Sequence, residues 1–251
     1  MIHLPAGYTD RPFAHRGLHN RDAGIIENSL SAIMAAVEAG YGIEIDVQLS
    51  SDKVPMVFHD YSLQRLTGQV GVIQKTRSDD LEQMVLTDGI DTVRSLQEVL
   101  TMVEGRVPLL IEIKDQDGNM GPNVGALERA VAADLEGYVG DVAIMSFNPH
   151  AIAAFREYNK TLPVGLVTDP YDPADWPTVS KDRLAELATI PDAAPLGCSF
   201  ISHNVDDLQS DAVAAQKSAG LAILCWTVKS AKVEARARQI VDTVTFEGYA
   251  A

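Results

Sequence analysis

The sequence predicts an α/β fold, a (β/α)8 barrel, and three observations carry that prediction. Strand-like and helix-like runs alternate along the chain. The strand-like runs number eight once one hairpin arm is set aside. A length of 251 residues with 46% hydrophobic content suits one domain of this kind over residues 1–251, and a second is not expected. An open doubly wound sheet is the competing architecture, but the first strand is followed by AHRGLHN, which is not a glycine-rich phosphate loop.

In order, the predicted barrel strands are 13–16, 43–47, 109–113, 142–145, 164–167, 199–202, 222–226 and 243–246. Each is a short run rich in β-branched, aromatic or other apolar residues. Helical patterns fall between them at 29–39, 95–103, 124–135, 149–158, 181–188, 210–219 and 231–240. The second strand, GIEIDVQLS, alternates apolar and polar residues, and VPMVFHD follows after only four turn-forming residues, Ser50 to Lys53. So short a link cannot make a parallel crossover, so the two runs form an antiparallel hairpin arm. A turn centred between Ser51 and Asp52 sets Glu44 opposite His59 and Asp46 opposite Val57. Glu44, Asp46 and His59 then share one face.

Composition bounds the partners. A net charge of −15 disfavours nucleic acid and anionic membrane surfaces. No run of 18 apolar residues occurs, and MIHLPAGYTDRPFAHRG has neither a basic leader nor an apolar signal core, so a soluble, cytoplasmic protein without stable membrane insertion is expected. Cys225 falls in a predicted core strand and Cys198 directly before one, and both are expected to be buried free thiols.

Barrel sites lie at the C-terminal ends of the strands, so the chemistry-bearing residues should converge there. His15 and Arg16 close the first strand, Glu44 and Asp46 lie late in the second, and Glu112 and Lys114 close the third. Two carboxylates two residues apart on one face repel each other unless a cation lies between them, and oxygen-only ligands suit a hard divalent ion, Mg²⁺ or Ca²⁺. A third carboxylate and a lysine on a mostly buried strand also need a partner or a ligand. Arg16, Lys114 and a metal would supply local positive charge for an anionic substrate. His203, Trp226 and Glu247 end or follow later strands; rim packing is the expected role of His203 and Glu247, while for Trp226 rim packing and a place in the pocket are equally expected. His3, His19 and His150 are expected to be surface or loop residues.

The motifs HRG at 15–17, ENS at 27–29, EIDVQ at 44–48, VFHD at 57–60, IEIK at 111–114 and WTV at 226–228 occur in order at compatible spacing. Through them the chain resembles the glycerophosphodiester phosphodiesterases, nearly end to end. That resemblance implies a TIM barrel of the phosphoinositide phospholipase C-like type that hydrolyses small glycerophosphodiesters to glycerol 3-phosphate and an alcohol. Carried over by position, it implies one divalent cation on Glu44, Asp46 and Glu112, and an acid/base pair of His15 and His59. Arg16 and Lys114 would hold phosphate oxygens, and Trp226 would line the substrate pocket. The segment from Tyr61 to Thr92 falls where the family carries its insertion over the barrel mouth, and its shortness implies a small cap. Asp60 beside His59, and Glu27 with Asn28, are expected to orient the ligands or, equally, to serve a turn or helix cap. Two histidines suit the proton work because their unperturbed pKa lies near neutrality. A cyclising or phospholipase D-like phosphodiesterase acting on lysophospholipids is the alternative chemistry; a barrel that binds metal and phosphate without catalysis is the remoter one. The sequence departs from the family pattern at Lys53, where the hairpin turn usually has glycine, at Lys229 in WTVK, and in the closing TFEGYA. A different turn type is expected at the first of these. The loop from Thr168 to Ser180 is expected above the fifth strand, near the alcohol end of the substrate.

Overall fold

The computed structural model describes residues 2–251. Ten strands form one sheet: β1 Phe13–Ala14, β2 Gly42–Leu49, β3 Pro55–Val57, β4 Arg94–Ser95, β5 Leu109–Ile113, β6 Val142–Ser146, β7 Val164–Thr168, β8 Phe200–Asn204, β9 Ala222–Val228 and β10 Thr243–Phe246. The helices are α1 Gly7–Asp10, α2 Leu30–Ala39, α3 Gln64–Thr67, α4 Ser78–Leu81, α5 Leu96–Val103, α6 Ala126–Asp134, α7 Pro149–Tyr158, α8 Lys181–Leu187, α9 Asp211–Ser218 and α10 Ala231–Ala237. Eight strands pair in parallel in the circular order β1, β2, β5, β6, β7, β8, β9, β10, and β10 returns to β1. The ring is closed, which makes it a (β/α)8 barrel and excludes the open sheet.

Side-chain alternation divides the core into two layers. On β2 and β5, Ile43, Ile45, Val47, Leu109, Ile111 and Ile113 face outward into the large cluster beneath the helices. Leu110 points inward with Phe13, Ala143, Met145, Phe200 and Leu224. The inward positions nearer the mouth on the same two strands are Glu44, Asp46 and Glu112, all buried. At the opposite end Tyr8 of α1 closes the floor, its hydroxyl donating to the Leu109 carbonyl. The two cysteines are buried free thiols, as expected. Among the described residues no helix is long and apolar enough to cross a membrane.

The first strand is shorter than the sequence suggests. It stops at Ala14 because Arg16 takes a left-handed backbone, φ 54°, followed by Gly17 at φ 79°. Only glycine fits at 17, since a Cβ there would lie 2.8 Å from the Ala32 backbone of α2. This bend turns Arg16 across the mouth instead of along the strand.

The hairpin arm exists, with a register one residue from the expected one. Val47 pairs with Val57, Gln48 with Met56 and Leu49 with Pro55. The cause is the turn: Ser50 and Val54 close it by a backbone hydrogen bond of 3.0 Å around a three-residue loop, Ser51 to Lys53, whose last residue has φ 72°. Lys53 thus takes a left-handed backbone that glycine would adopt at less cost. In this register a continuous ladder would have put His59 opposite Ile45, on the helix-facing side. The ladder instead ends at Val57, and His59 leaves it to reach the mouth. β3 continues through β4 as an antiparallel extension. The cap from Tyr61 to Thr92 packs α3 and α4 on a core of its own, including Met56, Phe58, Leu63, Leu66, Ile73 and Leu81.

Candidate active site

A cavity of about 390 Å³ opens at the C-terminal ends of the barrel strands. Its lining includes His15, Arg16, Glu27, Glu44, Asp46, His59, Glu112, Lys114 and Trp226, so nine of the singled-out positions meet in one place. Asn28 and Asp60 stand directly behind it. No residue between 61 and 92 is among the lining residues.

The floor is acidic. One carboxylate oxygen each from Glu44, Asp46 and Glu112 lies within 4.8 Å of the others, and the three could hold a metal ion. Burial, with Asp46 and Glu112 alongside, pushes the Glu44 carboxyl well above the usual carboxylate range. Burial alone would do the same to Asp46. The charges of His59, Lys114 and Arg16 and a hydrogen bond from Asn28 instead hold it well below that range. Asn28 is fixed by a left-handed backbone at φ 58°, which asparagine tolerates, and its Nδ2 donates to Asp46 Oδ2 at 2.9 Å.

Two cations border the carboxylates. Lys114 Nζ is 2.7 Å from Glu112 and 3.4 Å from Asp46. Burial would weaken its hold on the proton, but Glu112 and Asp46 outweigh burial and raise its pKa. The Arg16 backbone N–H donates to Glu44 at 3.0 Å, its Nη1 to Glu27 at 2.5 Å, and its Nε lies 3.3 Å from Asp46 without a hydrogen bond. Both cations thus border the acidic floor.

The histidines are each tied at Nδ1, leaving Nε2 free. His15 Nδ1 lies 2.7 Å from Glu247, and His59 Nδ1 lies 2.8 Å from Asp60. His15 Nε2 is 4.0 Å from Glu44. A carboxylate on Nδ1 fixes the proton there and makes Nε2 the working nitrogen. Trp226 Nε1 donates to the Ser202 carbonyl, and its ring meets Phe147 edge-on at 5.5 Å, which gives the mouth one aromatic wall.

Three residues near the mouth escaped the sequence reading. Glu247, expected to pack at the rim, is the partner of His15, and hydrogen bonding from His15, with His19 and Lys229 alongside, holds its carboxyl well below the usual range. His19, expected on the surface, lines the cavity with its Nε2 3.6 Å from Glu247. Arg65 of α3 joins Glu27 to Asp60, donating to both carboxylates at 2.6–2.9 Å. Its sequence signal is weak, because its two partners are 38 and 5 residues away. His203, by contrast, is buried in β8 between Thr168 and Asp207, away from the cavity, and His3 and His150 are exposed. The 168–180 loop does not line the cavity; Trp176 packs on Phe147 at 5.1 Å and backs the wall from outside.

Known proteins share this fold. The chain is 29% identical over 165 residues to a glycerophosphodiester phosphodiesterase of Bacillus altitudinis, covering 62% of this chain and 65% of that one. Its fold superposes on an Oleispira antarctica phosphodiesterase solved in complex with the product sn-glycerol-3-phosphate, with a TM-score of 0.77, 23% identity, and coverage of 96% and 94%. A glycerophosphodiester phosphodiesterase from Parabacteroides distasonis matches with a TM-score of 0.74, 25% identity, and coverage of 93% and 91%. Residues 15–246, from the His15 of HRG to the end of β10, match the model of the glycerophosphoryl diester phosphodiesterase family, and the chain belongs to that family.

Proposed function

We propose that the protein hydrolyses a water-soluble glycerophosphodiester to sn-glycerol 3-phosphate and an alcohol, with His15 and His59 moving the protons and a divalent cation held by Glu44, Asp46 and Glu112. The observation that carries this reading is the pair of imidazoles at one acidic floor, each tied at Nδ1 by a carboxylate and each with Nε2 free. Family membership and the product-bound Oleispira structure support the reaction class.

The donor set fits a hard cation: three carboxylate oxygens, buried and close together, with no sulfur or nitrogen donor among them. A Mg²⁺ or Ca²⁺ ion bound there would neutralise charge on a phosphoryl oxygen. The remaining work belongs to the chain. Arg16 and Lys114 bind the other phosphoryl oxygens and hold the phosphorus in line between the histidines. One Nε2 takes the proton of the attacking nucleophile, and the other gives a proton to the leaving alkoxide, which is otherwise a poor leaving group. Glu247 and Asp60 keep each ring in the tautomer these transfers require. Trp226, backed by Phe147, packs against the carbon skeleton of the substrate.

A ³¹P NMR time course with glycerophosphocholine and Mg²⁺ or Ca²⁺, beside a chelator control, tests the reaction. Glycerol 3-phosphate formed only with the ion is the expected result. A cyclic phosphate as the end product would replace hydrolysis by attack of a neighbouring substrate hydroxyl.

A further inference from the structure

We propose that His15, His19 and Glu247 form a second cation site that takes Zn²⁺ in preference to Mg²⁺ or Ca²⁺, and that Zn²⁺ bound there stops turnover. One donor atom from each of the three lies within 4.8 Å of the others. Glu247 Oε2 stands 2.7 Å from His15 Nδ1 and 3.6 Å from His19 Nε2. Bonds of about 2.0–2.1 Å to a tetrahedral zinc place ligand atoms about 3.3 Å apart, so these two separations bracket the required one. His19 Nε2 is a buried nitrogen without a hydrogen-bond partner, and the carboxylate it faces is Glu247. A zinc ion would give that nitrogen the partner it lacks, and the cavity leaves a fourth position for water.

The donors decide the ion. Two imidazoles and one carboxylate favour zinc over the hard cations, whereas the neighbouring triad of Glu44, Asp46 and Glu112 offers oxygen alone. The two sites touch through His15, whose Nδ1 belongs to one and whose Nε2 faces the other. Lys229 tunes the second site. Its Nζ lies 2.9 Å from Glu247 Oε1, which leaves Oε2 directed at both histidines but adds a positive charge that opposes a dication. Lys229 is 69% exposed, so it can withdraw into solvent.

Inhibition follows from proton bookkeeping on one ring. An imidazole bound to zinc through Nδ1 carries its proton on Nε2. It cannot accept a second proton there, and it gives up the one it has only as an imidazolate. His15 is thereby removed from proton transfer in either direction. This step rests on the role proposed above for His15; zinc binding itself does not.

The test uses the whole protein in excess Mg²⁺, with Co²⁺ as a coloured stand-in for Zn²⁺. We expect a single equivalent of Co²⁺ to give the visible absorption of a four-coordinate, nitrogen-containing site, and Zn²⁺ to bleach it. His19→Gln should lose the band and raise the half-inhibiting Zn²⁺ concentration roughly tenfold or more, judged against its own zinc-free rate. Lys229→Ala should lower that concentration. A wild-type band retained in His19→Gln would overturn the proposal. So would Zn²⁺ inhibition relieved equally by Mg²⁺ in both proteins, since that would place zinc on the oxygen triad. The band needs no substrate, so a band without glycerophosphodiester turnover would contradict only the proposed reaction, whereas turnover without a band would contradict only the zinc site.

Discussion

His15 and His59 face the same carboxylates but reach them from different parts of the molecule. The His15 backbone N–H donates to Phe246 at 2.9 Å, and the carboxylate that ties its ring, Glu247, follows directly on β10. Barrel closure therefore sets its position, and its side chain is 15% exposed. His59 lies beyond the end of the β3 ladder, 31% exposed, on the arm. Its backbone carbonyl accepts from the Gln48 amide of β2 at 2.8 Å, and its ring is held by a chain of ion pairs, from Arg16 through Glu27 and Arg65 to Asp60. One ring is positioned by backbone closure, the other by charged side chains. The two halves should thus respond differently to mutation, salt and pH.

The largest effects should not distinguish the halves. His15→Ala and His59→Ala should each lower kcat by roughly 10²- to 10⁴-fold while leaving metal affinity largely intact, as measured by titration calorimetry. Glu112→Ala should weaken metal binding first, with activity partly restored at high Mg²⁺ or Ca²⁺. A near-wild-type rate in either histidine variant would remove that residue from proton transfer.

The orienting carboxylates should begin to separate the halves. Glu247→Gln and Asp60→Asn should each lower kcat by roughly 10- to 100-fold, part of what the proton transfers contribute. Only Asp60→Asn should also lower the sensitivity of the rate to salt, because it removes a link of the ion-pair chain that salt screens. Equal salt dependence in the two variants would break the comparison.

Arg65→Ala should have the smallest effect on chemistry, a severalfold loss of kcat, with a stability cost of about 1–2 kcal/mol for a half-exposed arginine with two carboxylate partners. The cost should depend on pH in a defined direction. Burial would raise the Glu27 pKa, but hydrogen bonds and charge from Arg65 and Arg16 bring it from 4.5 down to about 2. A depressed carboxylate contributes stability that is present above its unfolded pKa and lost as pH falls through the folded one. The difference in Tm between wild type and Arg65→Ala should therefore be full at pH 6 and shrink as pH falls from about 4.5 towards 2. A constant difference over that range would mean that Arg65 acts through packing.

The same comparison explains what the sequence revealed. The barrel half was legible because side-chain alternation on β2 and β5 places Glu44, Asp46 and Glu112 on one face, and strand order carries them to one end. The arm half was legible only in part. His59 was expected at the mouth from a hairpin register that proved one residue off; it arrives there because the ladder stops at Val57, which alternation does not reveal. Arg65 was missed because a bridge between Glu27 and Asp60 exists only after the cap folds on its own apolar core. Glu247 looked like a rim residue and His19 like a surface or loop residue because their meeting depends on β10 closing against β1.

The most direct test of the central claim, that the two histidines act on opposite sides of one phosphorus, compares leaving groups. Rates of wild type, His15→Ala and His59→Ala would be measured with glycerophosphocholine and with the p-nitrophenyl ester of glycerol phosphate, whose leaving group needs no protonation. One histidine variant should recover much of its rate with the p-nitrophenyl ester while the other stays slow, which also identifies the acid. Equal behaviour of both variants with both substrates would contradict a division of proton transfer between His15 and His59.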